Sequence, residues 1–194
     1  WRDIIMINRE ERVLENITKK DRHTEWIENS HSLMQVEVLL VGNAQGLGLL
    51  DVELIEEFPK LKVNSELEKY RLAKLRHITL SELWVMGAYE LIRLMSEMVP
   101  KREIFSENTI NKLKETLKKF TEVRVPLVKF QDWGKNELYS GVSTPTFDSI
   151  KGFGWKIHFS RKDVETKIFY RRDLSDSLLG LLRGLKADIM QNTV

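Results

Sequence analysis

Residues 80–98, LSELWVMGAYELIRLMSEM, decide the fold. Wound as a helix, they set Leu80, Leu83, Trp84, Gly87, Leu91, Leu94 and Met98 on one face and Val85, Tyr89 and Ile92 on another. Glu82, Glu90, Arg93 and Glu97 form the only polar strip. A helix that is apolar nearly all round is a buried one. The segment is therefore read as the central helix of a mainly α fold. Gly87 costs it about 1 kcal/mol relative to alanine. Close approach of a second helix would offset that, so Gly87 is read as a packing glycine whose replacement by leucine overpacks.

Working outward, Thr79-Leu80-Ser81-Glu82 and Ser65-Glu66-Leu67-Glu68 both read as capping boxes. A capping signal has nothing to cap inside a continuous helix, so a break or sharp bend is expected near His77. Toward the N-terminus, residues 3–19 read as a helix. Ile27, His31, Met34, Val38 and Val41 follow at steps of three and four and predict a helix over 22–42. A strand over 36–41 is the rival reading. Residues 43–48 are expected to form a glycine-containing loop and 49–58 a short helix ending before Pro59.

Toward the C-terminus, Ser106 caps a helix with Ile110, Leu113, Leu117 and Phe120 on its seam. It is expected to run to about 133 with a kink at Pro126, or to give way to an edge strand over 123–130. Residues 134–152 read as a polar loop. The period then changes to two. Phe153, Trp155, Ile157 and Phe159 alternate with polar residues and glycine, and Val164, Thr166, Ile168 and Tyr170 repeat the pattern after four polar residues. That is a β-hairpin. Asp173 caps a last helix carrying Leu174, Leu178, Leu181, Leu182 and Leu185. The expectation is a single domain over 1–194: a helical bundle over about 1–133, a loop over 134–152 and a hairpin–helix appendage over 153–187.

With 194 residues, 42% hydrophobic and 31% charged, the chain has the composition of a globular protein. Cysteine is absent, which excludes disulfides, thiolate nucleophiles and Cys-ligated metal centres. No apolar run reaches the ~18 residues of a membrane span, and the start carries no signal-peptide pattern. The expected compartment is the cytoplasm, with no membrane association. Residues 1–98 carry 13 Lys/Arg against 17 Asp/Glu, a net of −4, and residues 99–194 carry 18 against 12, a net of +6. Such halves face each other, a second copy or an anionic partner.

Few residues stand in patterns that carry chemistry. His23, His31, His77 and His158 are scattered, no H-E-x-x-H occurs, and no metal site is expected. No G-x-S-x-G elbow supports serine catalysis. Gly42-Asn43-Ala44-Gln45-Gly46-Leu47-Gly48 looks like the cofactor loop of short-chain dehydrogenases, and Tyr70 and Lys74 supply a Y-x-x-x-K pair like that family's catalytic one. The pair stands too close to the loop, and the alternating strands and helices of a doubly wound sheet are missing. No cofactor is expected, and the glycines read as a helix end followed by a turn. Arg71 and His77, spaced Arg-x5-His, resemble the motif of the HEPN family, small helical proteins of which many are metal-independent ribonucleases. The resemblance implies that the two side chains converge at a dimer interface and polarise a phosphate. Lys156, Arg161, Lys162, Lys167, Arg171 and Arg172 mix with Trp155, Phe169 and Tyr170 in the hairpin, as a ribbon tracking a nucleic-acid backbone would.

The leading expectation is a non-enzymatic interaction or regulatory subunit acting through helix faces, as a homo-oligomer or with a protein partner. The alternatives are a HEPN-like ribonuclease and a nucleic-acid-binding accessory protein.

Overall fold

The computed structural model describes residues 21–61, 67–128, 141–159 and 166–192. Helix α1 covers residues 21–30 and runs into a 3-10 turn, His31–Gln35. Helices α2 (Leu39–Lys60), α3 (Leu67–Met98) and α4 (Glu107–Val128) follow. Strands β1 (Gly141–Asp148), β2 (Gly152–Phe159) and β3 (Lys167–Tyr170) make an antiparallel sheet of order β1-β2-β3. Helix α5 (Arg171–Asn192) closes the chain. The mainly α fold ending in a hairpin and a helix is as the sequence predicts. The helix expected over 3–19, the Ser65 capping box and the residues joining β2 to β3 lie outside the described residues.

Helix α3 is the central element. It packs on α2, α4 and α5 and buries Trp84, Val85, Ala88, Leu91, Ile92 and Met95, while Glu90 and Glu97 bind Arg93 on its outer side. It runs unbroken through His77, so the expected break does not occur. Ser81, read as part of a cap, is buried in mid-helix with no partner for its hydroxyl. Packing of the seam on three other helices outweighs a local capping signal. The helix is also less buried than expected, since Leu83 and Gly87 are exposed. At Gly87 an added Cβ would stand 3.2 Å from the end of Leu47, a flexible side chain of α2.

Four further expectations fail for identifiable reasons. The helix predicted over 22–42 is interrupted by the 3-10 turn and restarts at Leu39, with no strand over 36–41. The loop predicted over 43–48 is the middle of α2. Leu40, Val41, Ala44, Gly48, Asp51 and Leu54 are buried at helical spacing, and that periodicity carries the helix across its glycines. The polar loop predicted over 134–152 contains β1, which pairs Phe147 with Phe153, Pro145 with Trp155 and Ser143 with Ile157. As an edge strand, β1 tolerates the proline that hides it in the sequence. Helix α5 begins at Arg171, directly after β3, and not at a cap on Asp173.

Helix α4 begins as expected, with Ser106 Oγ accepting from the Thr109 amide at 3.3 Å. It continues through Pro126 to Val128, and no strand replaces it. One cluster of buried side chains joins all the helices to the inner face of the sheet, with Trp26, Trp84, Trp155 and Phe120 as its largest members.

Candidate functional site

Asp51 occupies a position in the buried seam of α2 that periodicity would assign to an apolar residue, and it has no exposed surface. A carboxylate there requires cationic partners. The segments on either side of α2 supply them. Arg22 of α1 donates from Nε to Asp51 Oδ2 at 2.7 Å, Trp26 Nε1 donates to the same oxygen at 3.1 Å, and Arg171 Nη1 donates to Oδ1. Arg22 also bonds Ser175 Oγ at 2.7 Å and Asp176 at 2.8 Å, both on α5. One carboxylate thereby ties together α1, α2 and the first residue of α5. Burial works against the charged form of Asp51, but Arg171 and Arg22 outweigh it and hold the carboxyl below its usual range. Arg171, itself buried, is shifted down from the ordinary guanidinium value by desolvation, against the pull of Asp51. Its guanidinium also stands 5.7 Å from the centre of the Trp84 ring.

Beside this network a cleft of about 390 Å³ opens between α2, the β1–β2 turn and the start of α5. Val52, Ile55, Phe58 and Pro59 of α2 and Ile150 of the turn give it apolar walls. The charged side chains on its lining among the described residues are Arg22, Lys151, Arg171 and Arg172, with no carboxylate among them. His77 reaches it from α3, 1% exposed, packed between the rings of Phe58 and Phe153 at 5.8 and 5.9 Å. Its Nδ1 is buried with no hydrogen-bond partner; the Glu57 carboxylate stands 3.9 Å away. Burial, and then the charge of Arg171, push the His77 imidazole down to about 4, so it is neutral at physiological pH.

The residues singled out from sequence are distributed as follows. Arg71 and His77 are both on α3 but six residues apart, some 120° around the helix. Arg71 is exposed and His77 is buried, so the fold of one chain does not bring them together. Lys156 is exposed on β2, and Lys167 on β3 reaches Glu122 of α4 at 3.3 Å. Arg172 is exposed, and Arg171 points inward to Asp51. Arg161 and Lys162 lie outside the described residues. The stretch 42–48 is helical throughout and so cannot form the strand–turn–helix of a dinucleotide site. Tyr70 and Lys74 lie on α3, where Lys74 Nζ sits 4.2 Å over the Phe147 ring. No group of three or more His, Asp or Glu that could hold a metal occurs among the described residues, and no helix among them is long and apolar enough to cross a membrane. Sequence reasoning missed Arg22, Asp51 and Lys151. The signal for Asp51 was present: a lone acid in the seam Ala44, Gly48, Leu54.

The opposite side of α2 has a different character. Leu39, Gly42, Gly46, Leu49 and Glu53 recur at steps of three and four, and all are exposed. Leu39 is 76% and Leu49 50% exposed, and a Cβ added at Gly42 or Gly46 would meet nothing within 4 Å. No charged residue stands between Glu37 and Asp51. Comparison with protein-family models, curated proteins and solved structures finds no match to this chain.

Proposed function

We propose that this protein is a non-enzymatic interaction subunit that pairs with a second copy of itself through the outer face of α2. The observation that carries the reading is the pattern Leu39, Gly42, Gly46, Leu49 on that face, open to solvent within one chain. Each glycine in a helix interior forgoes about 1 kcal/mol relative to alanine, and no neighbour among the described residues uses the space. The pattern is symmetric about Ala44. An antiparallel crossing centred there sets Gly42 against the partner subunit's Gly46 and Leu39 against the partner subunit's Leu49. A two-fold interface demands this self-complementarity.

Sedimentation equilibrium tests the reading. The wild-type chain is expected to be a dimer at tens of micromolar. Gly42→Ala/Gly46→Ala is expected to dissociate at least tenfold more readily while its monomer becomes more stable in urea. A wild-type monomer at tens of micromolar would remove the reading. Metal-independent RNA cleavage that disappears in His77→Ala would replace it with the ribonuclease alternative.

A further inference from the structure

The cleft beside the Asp51 network goes beyond pairing through α2, from which it is independent. We propose that it binds a small organic anion, its apolar body against Ile55, Phe58 and Ile150 and its acid group at Arg172, Lys151 and the first turn of α5.

Four features of the cleft lead there. Its volume, about 390 Å³, falls within the ~300–1,000 Å³ of small-molecule sites. Its lining combines apolar side chains with cationic ones, which suits an amphipathic ligand and not a free inorganic ion. Ile150, at its lip, is 85% exposed, an apolar side chain that a ligand body would cover.

The second feature is charge. Arg22 and Arg171 share the single carboxylate of Asp51, and Asp176 reaches only Arg22. Arg172 makes no ion pair among the described residues. Lys151 has an exposed pair with Asp173 at 3.1 Å, a kind of contact worth little in water. An incoming acid therefore finds one uncommitted cation and one that is easily diverted.

Third, the cationic part of the lining includes the N-terminal end of α5, a 22-residue helix. Its first amides lack helical acceptors and its dipole favours a negative charge there. Fourth, and independent of the helix end, His77 lines the same cleft with a buried Nδ1 that has no partner. A buried polar nitrogen left unbonded is costly. The His77 ring, held between Phe58 and Phe153, stands in the lining, so a ligand in the cleft would touch it.

Octanoate and the fluorescent aromatic sulfonate 8-anilinonaphthalene-1-sulfonate serve as probes, with octanol as the neutral control. Calorimetry on the full chain is expected to give one saturable octanoate site per chain, displaced by the sulfonate, with octanol at least tenfold weaker. Arg172→Gln/Lys151→Gln changes two exposed side chains, leaves the fold intact by circular dichroism, and is expected to weaken octanoate at least tenfold. Octanoate is also expected to shift the His77 ring resonances more than those of His23, His31 or His158. The proposal is overturned if octanoate does not saturate below the millimolar range, if octanol binds equally well, or if the double variant binds as wild type does. The readout is per chain, so a failure of pairing through α2 leaves it unaffected.

Discussion

Replacing Asp51 by asparagine keeps the side-chain volume and one carbonyl acceptor but removes the only charge that serves both Arg22 and Arg171. Arg22 retains Asp176 and Ser175. Arg171, with a side chain 5% exposed, retains no carboxylate. Breaking a buried ion pair from one side costs about 3–5 kcal/mol, because the remaining charge is left desolvated. Domains have total stabilities of about 5–15 kcal/mol, so Asp51→Asn is expected to lose a fifth or more. The test is a urea melt followed by tryptophan fluorescence, to which the buried Trp26 and Trp84 report. The second variant is Asp51→Leu/Arg171→Met, which removes the stranded charge with its partner. It is expected to recover at least half of the loss, since an apolar pair of similar volume is often no worse than a buried ion pair. The folded-state pKa of Asp51 lies below the unfolded value. Its contribution is therefore full above the ordinary carboxyl range and is lost as pH falls through the depressed value. The reasoning is refuted if Asp51→Asn lies within 1 kcal/mol of wild type, or if the double variant is the sum of its two single changes.

Gly48→Ala is expected to destabilise by about 1–3 kcal/mol, because its Cβ would lie 2.5 Å from Trp26 Cβ and Cγ in the core; urea midpoints measure it. Gly87→Ala has the opposite sign, matching or exceeding wild type by up to ~1 kcal/mol, since Leu47 is able to swing aside. His77, neutral in the folded chain with a pKa of about 4 against 6.5 unfolded, takes up a proton more readily when unfolded between those values. Its contribution to stability therefore falls as pH drops from 6.5 to 4, by roughly 2–3 kcal/mol in all. Urea melts across that window should show the slope, and His77→Phe should flatten it.

The apolar seams were the legible part of this fold. The stretch 80–98 announced a central helix, and the period-2 run from Phe153 announced β2, because each pattern repeats often enough to overwhelm its local exceptions. Where the reading failed, a local signal had been set against a weaker long-range one. Glycines at 42, 46 and 48 read as a turn, although Leu40, Ala44, Gly48 and Asp51 already formed a seam through them. Strand β1 has few apolar residues and a proline at its centre, and only its pairing with β2 makes it a strand. The ionic network was illegible for a different reason. Arg171 stood in a run of basic hairpin residues and was counted with them, yet it is where β3 gives way to α5, and that change of direction turns it inward. Its partner Asp51 lies 120 residues away on α2, a distance no local pattern spans.

Helix α2 borders both proposed surfaces, and its sequence separates them cleanly. At 100° per residue, Leu40, Ala44, Asp51 and Leu54 fall on one side and Leu39, Gly42, Gly46 and Leu49 on nearly the opposite one. The inner side is fixed by folding: Trp26 fills the space over Gly48, and two guanidinium groups hold Asp51. The outer side is under no such constraint among the described residues. Helix propensity and solubility alone would favour glutamate, lysine, glutamine or alanine there. In a chain with 31% charged residues, thirteen consecutive positions from Val38 to Leu50 carry no charge, and the outer ones are leucine, glycine and asparagine. Packing among the described residues does not account for that choice. The proposed pairing with a second copy would, because glycine lets two backbones approach and leucine at either end closes the gap.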